Sequence, residues 1–520
     1  MTREKRLVLI AAIMGTAVVS VDSTVVNVAL PSIRADLGGG LAGQQWIANG
    51  YLLTLSSLIL VAGSLGDLFG ERRVFTLGVA GFGVASVICA IAPSIGALVA
   101  ARALQGIFGA LLTPAGLAVI AAAFPPAERG RAVGLWTAWG GIGIVAGPLI
   151  GGQLVDSASW RWIFAINVPL VLATLWIVAR AVPESRPRAG VRLDVLGAAL
   201  CASGLAGVTF GLIQQPLNGW GSPGVLGPIV AGVALFASFI AHELRTAEPM
   251  LPLALFRRRN FTVTNIETLA MYAGLGMLFF FLVVFLQQTA GYSALAAGTA
   301  TLPVTLVMFA LSGRFGALAD RHGPRFFLAV GPLIAAGGLA LMQRVDANAE
   351  YASQLLPALL VFSLGLSMTV APLTATVLGD ADESNAGIAS AVNNAVARVA
   401  GLLAIAAIGA AVSAHIAHSI GTSSDARVAS ALKQARDEPL GRPPVTGLNP
   451  AQARAVRAEV RSASLSGFHL GVGIGAVLVA LGGLLGAAGL RNPSCEQRAE
   501  GCAGGQIAGV PEVVAERAAA

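Results

Sequence analysis

The sequence predicts an all-α integral membrane protein of about fourteen transmembrane helices, built as two six-helix bundles with two extra helices between them. Three observations lead there. The 520-residue chain is 56% hydrophobic and only 11% charged, with a mean hydropathy of +0.77. Soluble domains carry roughly 25% charged residues, so this chain lacks the polar surface to stay in water. Apolar runs near 20 residues long recur throughout, the length of a helical span rather than of the short alternating strands of a barrel. Finally, one loop pattern occurs twice, at corresponding places in the two halves.

In order, the spans fall at about 7–30, 45–66, 74–93, 95–122, 131–153, 160–181, 192–214, 224–243, 261–287, 294–318, 326–342, 353–378, 387–414 and 465–490. The basic start at Arg3, Lys5 and Arg6 precedes a run too long for a signal peptide. Positive charge orients the rest. Arg72/Arg73, Arg129/Arg131, Arg186/Arg188, Arg257–Arg259 and Arg321/Arg325 fall in gaps on one side, which the positive-inside rule makes cytoplasmic. Arg34, Arg161 and Arg344 are exceptions. Both termini are then cytoplasmic, and Trp46, Trp160, Trp162 and Trp220 form an outer aromatic belt. The formal net charge of +7 is accounted for by this topology, with no basic stripe for nucleic acid.

The expected division is a bundle at 1–185, two linker spans at 186–250, and a second bundle at 251–490. A long outer loop at 415–464 interrupts the second bundle, and a disordered cytoplasmic tail follows at 491–520. Asn449-Pro450 reads as the capped start of a short helix lying outside the membrane. Cys89 and Cys201 sit in apolar runs and read as packing residues. No metal-ligand cluster, structural disulfide or cofactor is expected, and no nucleophile elbow or phosphate loop suggests an enzyme.

Ionisable residues inside spans cost free energy and are functional candidates by default. Asp22 lies roughly 22 Å into the first span from the inner side, and Arg102 roughly 10 Å into the fourth from the outer side, so the two stand at similar depth. They pair either as a structural ion pair or as a titratable site for a proton or a cationic substrate. Glu267 falls in the inner third of its span, consistent with an interfacial carboxylate. Arg398 falls near mid-depth with Asn393 and Asn394 one turn below it. Met271, Met277, Met308 and Met368 offer either a forgiving cavity surface or ordinary packing.

The repeated loop is GSLGDLFGERRVF at 63–75 and GRFGALADRHGPRF at 313–326. Asp67 aligns with Asp320, Gly70 with Gly323 and Arg72 with Arg325, with Arg73 beside the first set. The glycines supply tight turns. In the fifth span, GLWTAWGGIGIVAGPLIGG, Gly143, Gly147 and Gly151 line one face at every fourth residue. Gly152 follows, and Pro148 kinks the rod. This stretch reads as a close-packing seam between the two bundles.

These motifs together resemble the major facilitator superfamily, specifically its fourteen-span drug:proton antiporters of the EmrB/QacA type. VDSTVVNVALPSI, with Asp22, Asn27 and Pro31, resembles the first-span motif. GSLGDLFGERR resembles the loop after span two, although Leu68 and Glu71 stand where the family has basic residues. ARALQGIFGALLTPA, with Arg102, Gln105 and Gly106, resembles the fourth-span motif, and GIGIVAGPLIGG the antiporter motif of span five. The resemblance implies alternating access powered by a proton gradient, with Asp22 and Arg102 in proton coupling. It also implies that the Asp67 and Asp320 loops act as cytoplasmic latches. The partners expected are protons, the lipid bilayer and a small amphipathic or cationic substrate, exported across the cytoplasmic membrane. Export of a single metabolite or antibiotic is the alternative.

Overall fold

A chain this apolar must satisfy every backbone donor and acceptor within itself, and the helix does so locally. In a computed structural model, the described residues are 2–184, 193–246, 249–380, 386–441, 443 and 445–492. The side chains of Asp67, of several residues between 126 and 145, and of 386 and 387 fall outside that description, as do Arg186, Arg188 and the tail from 493 onward. Residues 1–490 form one compact unit.

The first half comprises α1 (Arg3–Leu37), α2 (Gly40–Phe69), α3 (Glu71–Ala90), α4 (Ile95–Ala123), α5 (Pro126–Ser157) and a broken sixth span, α6 (Trp162–Ala165) with α7 (Asn167–Ala181). Next come α8 (Val195–Asn218) and α9 (Pro223–Glu243). The second half comprises α10 (Arg259–Gln288), a broken span α11 (Ala294–Ala300) with α12 (Leu302–His322), α13 (Pro324–Leu341), α14 (Leu356–Gly379), α15 (Ala386–Ser419), the surface helix α16 (Ala426–Asp437) and α17 (Pro450–Gly489). Among the described residues thirteen spans are long and apolar enough to cross a bilayer. The 32-residue α5 supplies the remaining crossing in the alternation. The protein is a multi-pass membrane protein.

The two halves pack by one scheme. In each, the first helix lies against the fifth and sixth, the second and third against the fourth, and the third against the sixth. The halves meet where α2 crosses α15, where α5 crosses α11 and α12, and where α1 touches α10. The extra pair α8–α9 leans through α8 on both α2 and α15, covering that crossing.

The repeated loop folds the same way twice. Gly70 and Gly323 both take positive φ, 91° and 86°, a conformation that L side chains resist. Just beyond each turn an arginine reaches the last turn of its own half's sixth span. Arg72 donates to the Ala179 carbonyl (3.3 Å), and Arg325 donates twice to Ala487 (2.9 and 2.7 Å). Cations belong at helix C-termini, where carbonyls lack partners. All three bonds stay within their own half.

The face bearing these arginines is called here the basic face, and the opposite one the loop face. The capped start expected at Asn449-Pro450 is present, as a capping box of Asn449 and Gln452. The helix they start is not short, however. α17 runs unbroken for 40 residues from the loop-face exterior to the basic face. The charged stretch marks only where the rod leaves the apolar region, because no residue between 450 and 466 is a helix breaker except Pro450 at the tolerated first position.

Candidate functional site: a buried ion pair and a central cavity

Close helix approach sets the geometry of the first site. A Cβ on Gly106 would collide with Thr54 Oγ1 and the Tyr51 carbonyl, so its absence lets α4 lie directly on α2. That contact brings Arg102 of α4 opposite Asp22 of α1. Arg102 Nη1 donates to Asp22 Oδ2 at 2.5 Å and to Gln105 Oε1 at 2.6 Å, and its Nε donates to the Ile47 carbonyl at 3.3 Å. The guanidinium stacks 4.2 Å from the Tyr51 ring. The other Asp22 oxygen accepts from Gln105 Nε2 (2.9 Å) and Asn167 Nδ2 (3.3 Å), and both donors also reach Ser86 Oγ. Asp22 is 0% and Arg102 1% exposed.

The expected pairing is therefore direct. Gln105 belongs to the fourth-span motif, whereas Asn167 and Ser86 stand outside every sequence motif. Asn167 follows the helix break at Ile166, and its only sequence signal is an amide inside an otherwise apolar span. Chemically, the Asp22 carboxylate is answered inside the protein by one guanidinium and two amides.

Beside this network a cavity of about 520 Å³ opens between the halves. Its wall runs from Leu378 and Ser390, near the basic-face ends of α14 and α15, up to Val28 and Pro148. At the loop face the halves are tied together. Gln287 Nε2 donates to the Val28 carbonyl (2.8 Å) and Gln45 Nε2 to Ile405 (2.6 Å), while Asp156 accepts from the Ala294 and Leu295 backbone (3.0 and 2.8 Å). Arg34 bonds Gln288 and ion-pairs with Glu438 at 3.1 Å, which gives that exception to the charge pattern a structural role.

The remaining candidates separate. Arg398 lines the cavity with Asn393 and Asn394 one turn below, as expected. Glu267 does not join it and is not interfacial. It is 0% exposed, its two oxygens have no partner, and it sits against Gly482 and Gly486 of α17, whose missing side chains make the niche. Asp320 and Arg73 are exposed, and the Asp67 side chain lies outside the described residues. The fifth-span seam also differs from expectation. Gly143, Gly147 and Gly151 pack on Ser20, Thr24 and Val25 of α1, inside the first half. Contact between halves falls instead to Gly152 against Ala294 and Leu295, and to Pro148 against Gly298. A four-residue period faces one neighbour only, and Gly152 points about 100° away from Gly151. None of the four methionines lines the cavity; Met271, Met277 and Met368 are buried in packing.

The profile of the Major Facilitator Superfamily matches residues 12–405. The chain belongs to the major facilitator superfamily. It is 37% identical over 403 residues to the tetracenomycin C resistance and export protein of Streptomyces glaucescens, covering 77% of this chain and 74% of that one. It is 36% identical over 408 residues to a puromycin resistance protein of Streptomyces alboniger, with 76% and 80% covered. A multidrug resistance protein B homolog of Mycobacterium tuberculosis is 34% identical, with 70% and 68% covered. Among solved structures, an inward-facing, unoccupied bacterial homolog of the human lysosomal transporter Spinster shares the fold. Its TM-score is 0.64 at 16% identity, covering 95% of this chain and 100% of that one. A D-xylose–proton symporter does so at 0.60 and 15% identity, with 94% and 98% covered.

Proposed function

We propose that this superfamily member is a secondary active efflux transporter of the drug:proton antiporter type. It expels small amphipathic molecules across the cytoplasmic membrane in exchange for protons, with the basic face and both termini cytoplasmic. The carrying observation is the buried Asp22–Arg102 pair beside a cavity that reaches the basic-face helix ends and is closed at the loop face. Protonation of Asp22 removes the charge that holds Arg102, so the network has two arrangements for a proton gradient to bias. In this reading 1–185 and 251–490 are the rocking bundles, and 186–250 braces one of their crossings. The seam at Gly143, Gly147 and Gly151 keeps α5 moving with α1. The turns at Gly70 and Gly323 keep Arg72 and Arg325 on their own bundles, and Asp67 and Asp320 latch the basic face when it closes.

A second reading, export of one compound, draws on relatives named for tetracenomycin C, puromycin and cephamycin. Dye and drug panels against resistant cells separate breadth from dedication. The coupling itself is tested in inside-out vesicles under an imposed proton gradient. Asp22→Asn lowers gradient-driven uptake more than about tenfold. Coupled uptake equal to the parent's rules out Asp22 as the coupling site.

A further inference from the structure

Among the described residues, one cation in the cavity wall is left without a counter-charge. Arg102 is neutralised by Asp22, but the Arg398 guanidinium makes no hydrogen bond or ion pair among the described residues, and its Nε is buried without a partner. Among the described residues, no aspartate or glutamate lines the cavity. The helix that carries Arg398 is fixed in place. One turn below Arg398, Asn393 Nδ2 bonds Thr268 Oγ1 (2.7 Å) and Asn265 Oδ1 (3.2 Å), pinning α15 to α10. Ser390, Asn394 and Arg398 follow each other at four-residue spacing, so one face of α15 carries a polar rail from the basic-face side up to the guanidinium. Across from the rail, Tyr272, Leu275 and Phe279 of α10 give the cavity an aromatic and apolar wall.

A cation held inside a membrane protein without a partner is costly, and the planar guanidinium fork matches a carboxylate or phenolate. From this geometry we infer that the cavity takes an amphipathic aromatic anion, whose oxyanion engages Arg398 and whose ring lies on Tyr272 and Phe279. The inference rests on the export reading above and narrows its substrate to the anionic class. A cationic substrate would meet a wall of its own sign.

The test uses two xanthene dyes of opposite charge, fluorescein and rhodamine 123, with the full chain in lipid nanodiscs. Fluorescence anisotropy reports binding. The parent binds fluorescein about tenfold more tightly than rhodamine 123, Arg398→Gln removes that preference, and Arg398→Lys keeps part of it. Melting curves matching the parent's show that both variants are folded. Equal or tighter binding of rhodamine 123, no binding of fluorescein, or an undiminished preference in Arg398→Gln overturns the assignment. Uptake in inside-out vesicles then separates the two readings. Fluorescein bound through Arg398 yet never moved by a proton gradient leaves the anion site standing and sinks the export reading. Gradient-driven uptake of rhodamine 123, equal in parent and Arg398→Gln, does the reverse.

Discussion

The two halves share a packing scheme and a turn but not a treatment of charge. In the first half Asp22 and Arg102 close on each other inside a shell of amides, so the charges cancel. In the second half the corresponding helices carry no such pair among the described residues. On α14, Ser363 and Ser367 bond back to their own helix, on carbonyls of Leu359 and Ser363. The charges of Glu267 and Arg398 stand apart, one in a buried niche against α17 and the other in the cavity wall. A duplicated scaffold thus keeps what positions helices and diverges in what it does with a buried charge.

The largest expected effect is a difference of sign between the halves. Asp22→Ala strands Arg102 as an uncompensated buried charge and costs about 3–5 kcal/mol of stability. Arg398→Gln removes a charge that had no partner and leaves stability unchanged or raised by about 1 kcal/mol. Thermal melting of the two purified variants decides it; equal losses would mean that the halves hold charge alike. Next in size is the close packing of the fifth helices. Gly147→Leu drives a side chain into Thr24 and the Val21 carbonyl and costs about 1–3 kcal/mol, together with coupled transport. Gly401→Ala on α15 meets nothing within 4 Å and leaves stability intact. Intact transport in Gly147→Leu would return the α1–α5 contact to ordinary packing.

The smallest difference lies between the third and fourth helices of each half. The first half has a short neutral turn, where Ser94 caps α4 by accepting from the Ala97 backbone (3.3 Å). The second half has a longer loop gathered around Asp346. A hydrogen bond from Gln354, with others from the Asn348 and Ala349 backbone, holds this carboxyl below its ordinary value. A depressed carboxylate contributes stability above its unfolded pKa and loses it as pH falls through the folded one. The melting gap between parent and Asp346→Asn is therefore fully open at neutral pH and closes at pH values below about 4, while Ser94→Ala shows no such pH dependence. A gap unchanged in acid would remove Asp346 as the organiser of the loop.

Much of this was legible because membrane physics writes it directly into sequence. Span length, the two glycine turns, and the equal depth of Asp22 and Arg102 all follow from hydropathy, periodicity and rise per residue. What stayed hidden depends on azimuth and neighbours. Whether Gly147 faces α1 or the other half is a rotation about an axis that periodicity leaves free. Glu267 and Arg398 look alike as lone intramembrane charges, yet one turns to α17 and the other to the cavity. Asn167 joins Asp22 across 145 positions of chain, a contact visible only once six helices have closed.

The cavity wall, with Arg398 as its one uncompensated cation among the described residues, has an electrical consequence. If an anion leaves from Arg398 as a proton enters at Asp22, negative charge moves outward while positive charge moves inward. Both transfers run with a membrane potential that is negative inside, and each elementary charge gains about 2.3 kcal/mol per 100 mV. Such a cycle is electrogenic, so voltage alone sustains export when the two sides have the same pH.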